Sequence, residues 1–134
     1  MGQKIRSFED LECWKLGRNI RRLISSLTKI FPKEETYGLT QHLNKSARSI
    51  TNNIAEGYGR FHFQENIQFC RISRGSVYEA VDQLIEANDE SYITNGKLEE
   101  VRELINNFLK VLNGYINYLK RANSKEVVPI TNNN

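Results

Sequence analysis

The sequence has few of the residues that interrupt or cross-link a chain. Its 134 residues include two prolines, two cysteines, one methionine and one tryptophan. Nothing in the long stretch between Pro32 and Pro129 prevents the backbone from being helical. Cys13 and Cys70 stand alone without paired spacing, which favours two reduced, buried thiols over a disulfide or a metal site.

Long apolar runs are also missing. No run approaches the roughly 20 residues that a membrane span requires. The polar, basic segment 1–7 lacks the apolar stretch of a signal peptide. Apolar residues make up 39% of the chain and charged residues 26%, as in globular domains. We therefore expect one cytoplasmic domain with a single core.

Chain breakers divide the sequence into four amphipathic helices. Their predicted ranges are 8–30, 34–58, 63–91 and 97–122. Phe31-Pro32, the glycines at 57 and 59, and Asn95-Gly96 supply the breaks. Short connections between long helices favour an all-α, antiparallel up-down-up-down four-helix bundle over residues 1–123. Residues 124–134 are expected to form a flexible tail.

Helical periodicity assigns the side of each helix that faces the core. In the first helix this side extends from Leu16 to Ile30. In the third helix it includes Tyr78, with Arg74 in its middle. The Arg74 guanidinium must then reach solvent or pair with an acid, for which Glu56 and Glu79 are candidates. A second stripe of small residues on this helix predicts a close neighbouring helix.

The end of the second helix combines apolar residues with a dense polar set. Two interpretations are open. Glu56 and Arg60 could act as general acid and base, or the polar groups could form a structural network that fixes helix register. The network is favoured, because buried polar groups specify one arrangement when all their hydrogen bonds are made. Its predicted members are Ser49, Asn53, Glu56, Arg60, Arg74 and Glu79.

Other arrangements typical of catalysis or metal binding are missing. His42 and His62 have no carboxylate at ligand spacing, and no Glu-x-x-His pair of a di-iron bundle occurs. Gly57-Tyr58-Gly59 follows a helix rather than a strand, which excludes a dinucleotide fingerprint. We expect no enzymatic activity, no metal and no cofactor.

Charge is distributed unevenly along the chain. The overall net charge is only +3, but residues 1–30 carry +4 and residues 61–95 carry −4. Basic residues of the first helix share one face, which is either solvated or directed at phosphates. They are Lys15, Arg18, Arg21, Arg22 and Lys29. Phe8, Leu11 and Trp14 lie outside the main apolar stripe and are predicted to form a subunit contact.

Three motifs resemble a known family. They are Phe8-x-Asp10-Leu11, the run Arg48-Ser49-Ile50-x-x-Asn53-Ile54-Ala55-Glu56-Gly57, and Arg74-Gly75-Ser76-x-x-Glu79. Over about residues 8–120, the chain resembles the four-helix-bundle protein family, also called the 23S rRNA intervening-sequence protein family. Thr51 and Ser73 depart from its usual proline and alanine.

The resemblance implies a ring-shaped homopentamer. It also implies a relation to the accessory variability proteins of diversity-generating retroelements, which are basic pentamers that bind nucleic acid and a reverse transcriptase. Two functions follow from it: an RNA-binding protein of bacterial rRNA intervening sequences, or a scaffold for a reverse transcriptase and its template RNA. An enzyme that uses Glu56, Arg60 and Arg74 is the third hypothesis.

Overall fold

Four helices account for most of the chain. A computed structural model describes the backbone of residues 4–132 and the side chains of residues 4–125. The helices are α1 (Glu12–Thr28), α2 (Leu39–Tyr58), α3 (Phe63–Asp89) and α4 (Asn95–Asn132), and short 3-10 helices, Phe8–Asp10 and Lys33–Glu35, precede α1 and α2. No strand occurs between residues 4 and 132, and the predicted all-α fold is confirmed.

Neighbouring helices run in opposite directions. Each helix packs against the next one in sequence, and α4 returns to α1. Arg21 of α1 hydrogen-bonds Thr51 of α2, whereas the later Thr28 bonds the earlier Asn44. The same reversal is found in the pairs Ser49–Ser76 and Ser46–Gln83 between α2 and α3, and Asn66–Tyr115 and Asn88–Asn95 between α3 and α4. The fold is the predicted four-helix bundle.

The core is one continuous cluster of aliphatic side chains around Phe108, which is fully buried. All four helices contribute to it. Its other large, fully buried members include Ile20, Ile24, Leu43, Ile50, Ile54, Leu84, Ile105 and Leu112. Burying a side chain of this size contributes about 1.5–3 kcal/mol, so this cluster drives folding.

α2 and α3 approach each other most closely, because small residues line their contact. The Ser73 hydroxyl is fully buried and donates to the Ile50 carbonyl oxygen at 2.7 Å. A Cβ on Gly57 would lie 2.9 Å from the Phe69 Cβ. The buried side of α3 is therefore centred on its small residues, and Tyr78, predicted for the core, is 59% exposed.

Several helix ends differ from the prediction. The predicted starts of α1 and α2, at 8 and 34, fall in or beside the short 3-10 helices, and the two α-helices begin only at Glu12 and Leu39. α1 stops at Thr28, so Ile30 is 71% exposed rather than part of the core. α4 continues through the predicted tail as far as Asn132. No glycine or proline occurs between Tyr115 and Val128, and Pro129 lies only in the last turn. Residues 133–134 of that tail lie outside the described residues, and the domain boundary at 123 stays a prediction.

At the end of the bundle opposite the α2–α3 connection, the Glu35 carboxylate joins the start of α2 to the loop before α4. Glu35 accepts the backbone N–H of Leu39 at 3.0 Å and the hydroxyl of Tyr92 at 2.9 Å. These two hydrogen bonds, the Leu39 bond first, hold the pKa of Glu35 below its usual value. Glu35 thus caps α2, which begins after the side-chain-free Gly38, and fixes the loop before α4 against it.

Candidate nucleic-acid interface

Cations are concentrated on α1 and α2. Residues 13–33 hold six basic residues and residues 36–55 hold two, and neither segment contains an acidic residue. We call these eight side chains the basic face: Lys15, Arg18, Arg21, Arg22, Lys29, Lys33, Lys45 and Arg48. Within residues 4–125, none of them forms an ion pair. Their charge is therefore not neutralised inside the bundle.

A segment of α3 and α4 has the opposite charge. Residues 77–109, which cover the second half of α3 and the first part of α4, hold eight acidic and two basic residues. Because α1 and α2 are neighbours in the ring of helices, as are α3 and α4, the basic face and this acidic segment lie on different helix pairs. Residues 110–125 of α4 are basic again, with four cations and no acidic residue. The small net charge of +3 is therefore the sum of basic and acidic regions at different places on the surface.

Two arginines of the basic face are held by uncharged partners. Arg21 Nη1 donates to the buried Thr51 hydroxyl at 2.8 Å. The Arg18 guanidinium carbon lies 4.9 Å from the centre of the Trp14 ring, a cation–π contact. Arg18 Nε is buried and has no hydrogen-bond partner among the described residues. Arg22 and Lys29 are exposed, and Lys15 is half-buried.

Arg48 extends the basic face onto α2. It lies on the same side of α2 as Asn44 and Thr51, at helical spacings of four and three, and both of these residues hydrogen-bond α1. Arg48 is exposed beside this contact. The prediction from the sequence included only α1, because the register between α1 and α2 is what places Arg48 on the side of α2 that contacts α1.

The predicted subunit contact takes part in packing within the chain. Leu11 is buried in the core, and the rings of Phe8 and Trp14 meet edge to face at 5.3 Å. Phe8 lies in a 3-10 helix and Leu11 has extended backbone, so the period of α1 does not apply to either. Only the exposed parts of Phe8 and Trp14 remain available to a second copy, and that contact stays a prediction.

The predicted polar network is divided into separate groups. The Ser49 and Ser76 hydroxyls lie 2.7 Å apart, and Asn53 Nδ2 donates to the Ser49 hydroxyl at 2.9 Å. This group joins α2 to α3. Glu56 and Arg60 instead form an exposed ion pair at 2.9 Å, and the Arg60 guanidinium stacks on the Phe69 ring at 4.9 Å.

Arg74 is placed differently from the prediction. Its Nη1 donates to Asn113 Oδ1 of α4 at 2.8 Å, rather than to Glu56 or Glu79. The exposed Glu79 lines a polar cleft of about 340 Å³ between α2 and α3. The other residues lining this cleft are His42, Lys45, Ser46, Ser49 and Gln83. The structure therefore does not bring Glu56, Arg60 and Arg74 together by hydrogen bonds.

The two thiols are buried and free. Burial raises the pKa of Cys13 to about 12, with a smaller contribution from Cys70. Burial likewise raises the pKa of Cys70 to about 12. Across the described chain, no three His, Cys, Asp or Glu side chains are grouped so as to hold a metal ion. Among the described residues, no helix is both long and apolar enough to cross a membrane.

These features define a four-helix bundle with a basic face on α1, α2 and their connection and an acidic segment, residues 77–109, on α3 and α4. A model of the family described as 23S rRNA-intervening sequence protein matches residues 9–114, which include the whole basic face. The chain belongs to this family, and the resemblance noted in its motifs is confirmed. No curated protein matches the chain.

Proposed function

We propose that this protein is a non-enzymatic, cytoplasmic homo-oligomer that binds structured RNA through its basic face. The observation that carries the proposal is the set of eight cations on α1, α2 and the connection between them, which is interrupted only by Glu34 and Glu35 and has no ion pair within the described side chains. Such a surface attracts a polyanion, since each phosphate contact releases condensed counterions.

The chemistry of the basic face favours phosphate over base recognition. Four of its eight cations are lysines, whose single ammonium groups act as point charges toward phosphates: Lys15, Lys29, Lys33 and Lys45. Arg21 already donates a hydrogen bond to Thr51, so its guanidinium is less available to contact a base. Arg22 and Arg48 are exposed arginines that suit bidentate phosphate contacts. Phosphate contacts position a nucleic acid without reading its sequence, so we expect low sequence specificity.

Family membership supports RNA as the polymer, because the family is described by an intervening sequence of 23S rRNA. The family resemblance implies a pentamer. Five copies with a net charge of +3 each would give a ring with a net charge of roughly +15. Repeating the basic face in this way would multiply weak phosphate contacts. Native mass spectrometry tests the oligomer. A mass of five chains is expected, and a monomeric mass at micromolar concentration would contradict it.

The test of RNA binding compares two pairs of charge reversals. Arg22→Glu with Arg48→Glu changes exposed residues of the basic face, and Arg102→Glu with Lys110→Glu makes the same change in net charge at exposed positions of α4. We expect the first pair to weaken binding of a structured RNA at least tenfold at fixed salt, and the second to have a much smaller effect. Equal losses in both variants, with unchanged thermal unfolding, would overturn the proposal.

Absence of catalysis is part of the proposal. Glu56 and Arg60 are an exposed ion pair and Arg74 bonds a different helix, so the hypothesis of an enzyme lacks a shared site. We expect Glu56→Gln to change only stability or assembly. An activity found in the wild type and lost in this folded variant would restore that hypothesis.

A second candidate function is a scaffold for a reverse transcriptase of a diversity-generating retroelement. The acidic segment, residues 77–109, favours it, because this surface suits a basic protein partner better than RNA. The test is whether a reverse transcriptase is encoded beside this chain's gene and, where one is, whether it co-purifies with this protein. Glu99→Lys with Glu103→Lys should abolish this complex, whereas Arg22→Glu with Arg48→Glu should not.

A further inference from the structure

A cleft with aromatic walls opens where α2 turns into α3. Its volume is about 490 Å³, within the range of small-molecule sites. Its ring-bearing walls are Tyr58, Phe61, His62, Phe63, Tyr115 and Tyr118. These side chains come from α2, α3, α4 and the short connection before α3, so the rigid bundle holds the cleft in shape.

Two of the aromatic rings are directed into solvent. Phe61 is 99% exposed and Tyr118 is 55% exposed. Phe61 lies in a connection of only four residues, 59–62, and almost none of its surface is covered by the rest of the chain. Exposed large apolar groups that line one cleft mark a contact surface. An occupant that offers a flat, apolar face would cover them.

The cleft also offers a stacking platform with a hydrogen-bond donor beside it. The Tyr115 and Tyr118 rings are nearly parallel, with an interplanar angle of 15° and centres 6.4 Å apart. Asn66 Nδ2 donates to the Tyr115 hydroxyl at 3.1 Å. The Tyr115 hydroxyl hydrogen has no acceptor among the described side chains. It can therefore donate to an acceptor on a bound ring.

Positive charges flank the cleft in sequence. Lys4 and Arg6 adjoin the wall residue Ile5, and Lys120 and Arg121 adjoin the wall residue Leu119. All four cations are exposed, and none is in an ion pair within residues 4–125. Arg60 also lines the cleft, but Glu56 and Glu65 lie 2.9 and 3.8 Å from it. The expected occupant is thus a flat ring joined to a negatively charged group.

We propose that this cleft binds an unpaired nucleobase, stacked on Phe61 and Tyr118, with the adjoining phosphates near the four flanking cations. Aromatic side chains beside cations are how proteins hold single-stranded nucleic acid. The inference rests on the proposed RNA-binding function and adds to it a contact that a duplex cannot make. The protein would then hold RNA at junctions between paired and unpaired segments.

The first experiment measures binding of an unstructured RNA of twelve nucleotides and of the corresponding duplex. Phe61→Ala is compared with Tyr37→Ala, which removes a ring that is 86% exposed and does not line the cleft. Stacking of one base contributes about 1–3 kcal/mol, or roughly 5- to 150-fold in affinity. We expect a loss of this size for Phe61→Ala with the single strand only. Equal effects of the two variants, or none, would overturn the proposal.

A second experiment separates failure of the cleft from failure of RNA binding. AMP is titrated into the wild type, and the NMR signals of Phe61 and Tyr118 are followed. AMP-induced shifts of both signals in the wild type, with the Tyr118 shift lost in Phe61→Ala, support the cleft. If neither RNA binds in that case, only the proposed function is overturned. Unshifted signals overturn the cleft. A change of oligomer mass in Phe61→Ala, without any AMP-induced shift in the wild type, would also overturn base binding, because the cleft would then be a subunit contact.

Discussion

Arg18 and Arg21 are fixed in place without an acidic partner. The Trp14 ring and the Thr51 hydroxyl restrict their side chains but leave their positive charge uncompensated. Side chains that are already ordered lose less conformational entropy when they bind an anion. The basic face therefore combines anchored cations beside α2 with freer ones, such as Arg22, at its exposed edge.

The two buried thiols make stability sensitive to alkaline pH. Unfolded cysteine ionises near 9.0, whereas burial raises the pKa of Cys13 and Cys70 to about 12. A raised pKa contributes stability that is complete below pH 9 and is lost as pH rises toward 12. Between pH 9 and pH 12, each thiol should lower the free energy of unfolding by up to about 1.4 kcal/mol per pH unit.

The test replaces both thiols by alanine. Cys13→Ala with Cys70→Ala should lower the unfolding temperature at pH 7, because cavities form, yet flatten its decline between pH 9 and pH 11. Some decline should remain, since the pKa of Tyr115 is also raised to about 12, chiefly by burial. Parallel curves for the variant and the wild type would show that the thiols do not govern alkaline stability.

Arg74 shows what a residue pattern leaves undecided. Its spacing places it close to the apolar side of α3, and both Glu56 and Glu79 were possible partners. In the structure the small residues Ser73 and Ser76 face α2, which turns Arg74 toward α4 and Asn113. Hydrophobicity alone cannot reveal this rotation, because small side chains are buried by close approach rather than by apolar area.

At the scale of helices, the sequence predicts the elements better than their contacts. Proline and glycine positions place all four helices, since backbone preferences act locally. The pairing of Arg21 with Thr51 depends instead on the register between α1 and α2. That register is determined by packing around Gly17, where a Cβ would meet Ile50 and Phe108 at 3.2 and 3.3 Å.

Gly57 sets the distance between α2 and α3. An added Cβ would lie 2.7 Å from Asn66 Oδ1 and 2.9 Å from the Phe69 Cβ, and the latter cannot move without the backbone of α3. We expect Gly57→Ala to lower the free energy of unfolding by about 1–3 kcal/mol, as overpacking does. Urea denaturation measures this change.

Gly75 is the matched control for this substitution. It also lies inside a helix, but a Cβ there meets nothing within 4 Å. Gly75→Ala should therefore raise the free energy of unfolding by about 0.5–1 kcal/mol, because alanine favours the helix. If Gly57→Ala were also stabilising, the close approach of α2 and α3 at this point would not restrict the bundle.

The whole molecule has its basic face on α1, α2 and their connection, and an acidic segment at residues 77–109 of α3 and α4. This separation follows from topology, because α1 and α2 are consecutive in sequence and adjacent in space. Segment charges in the sequence therefore predict the polarity of the surface once the bundle is recognised. They do not reveal the aromatic cleft, whose walls Tyr58, Phe61 and Tyr118 are distant in sequence and meet only through folding.

Charge separation gives the last prediction, which concerns the salt dependence of RNA binding. The logarithm of the binding constant should fall linearly with the logarithm of salt concentration, with a slope set by the number of phosphate contacts. Arg22→Ala with Arg48→Ala should reduce the slope by about two for each subunit that contacts the RNA. Arg102→Ala with Lys110→Ala removes the same net charge from exposed positions of α4 and should leave the slope unchanged. A similar reduction by both pairs would mean that net charge, rather than the basic face, holds the RNA.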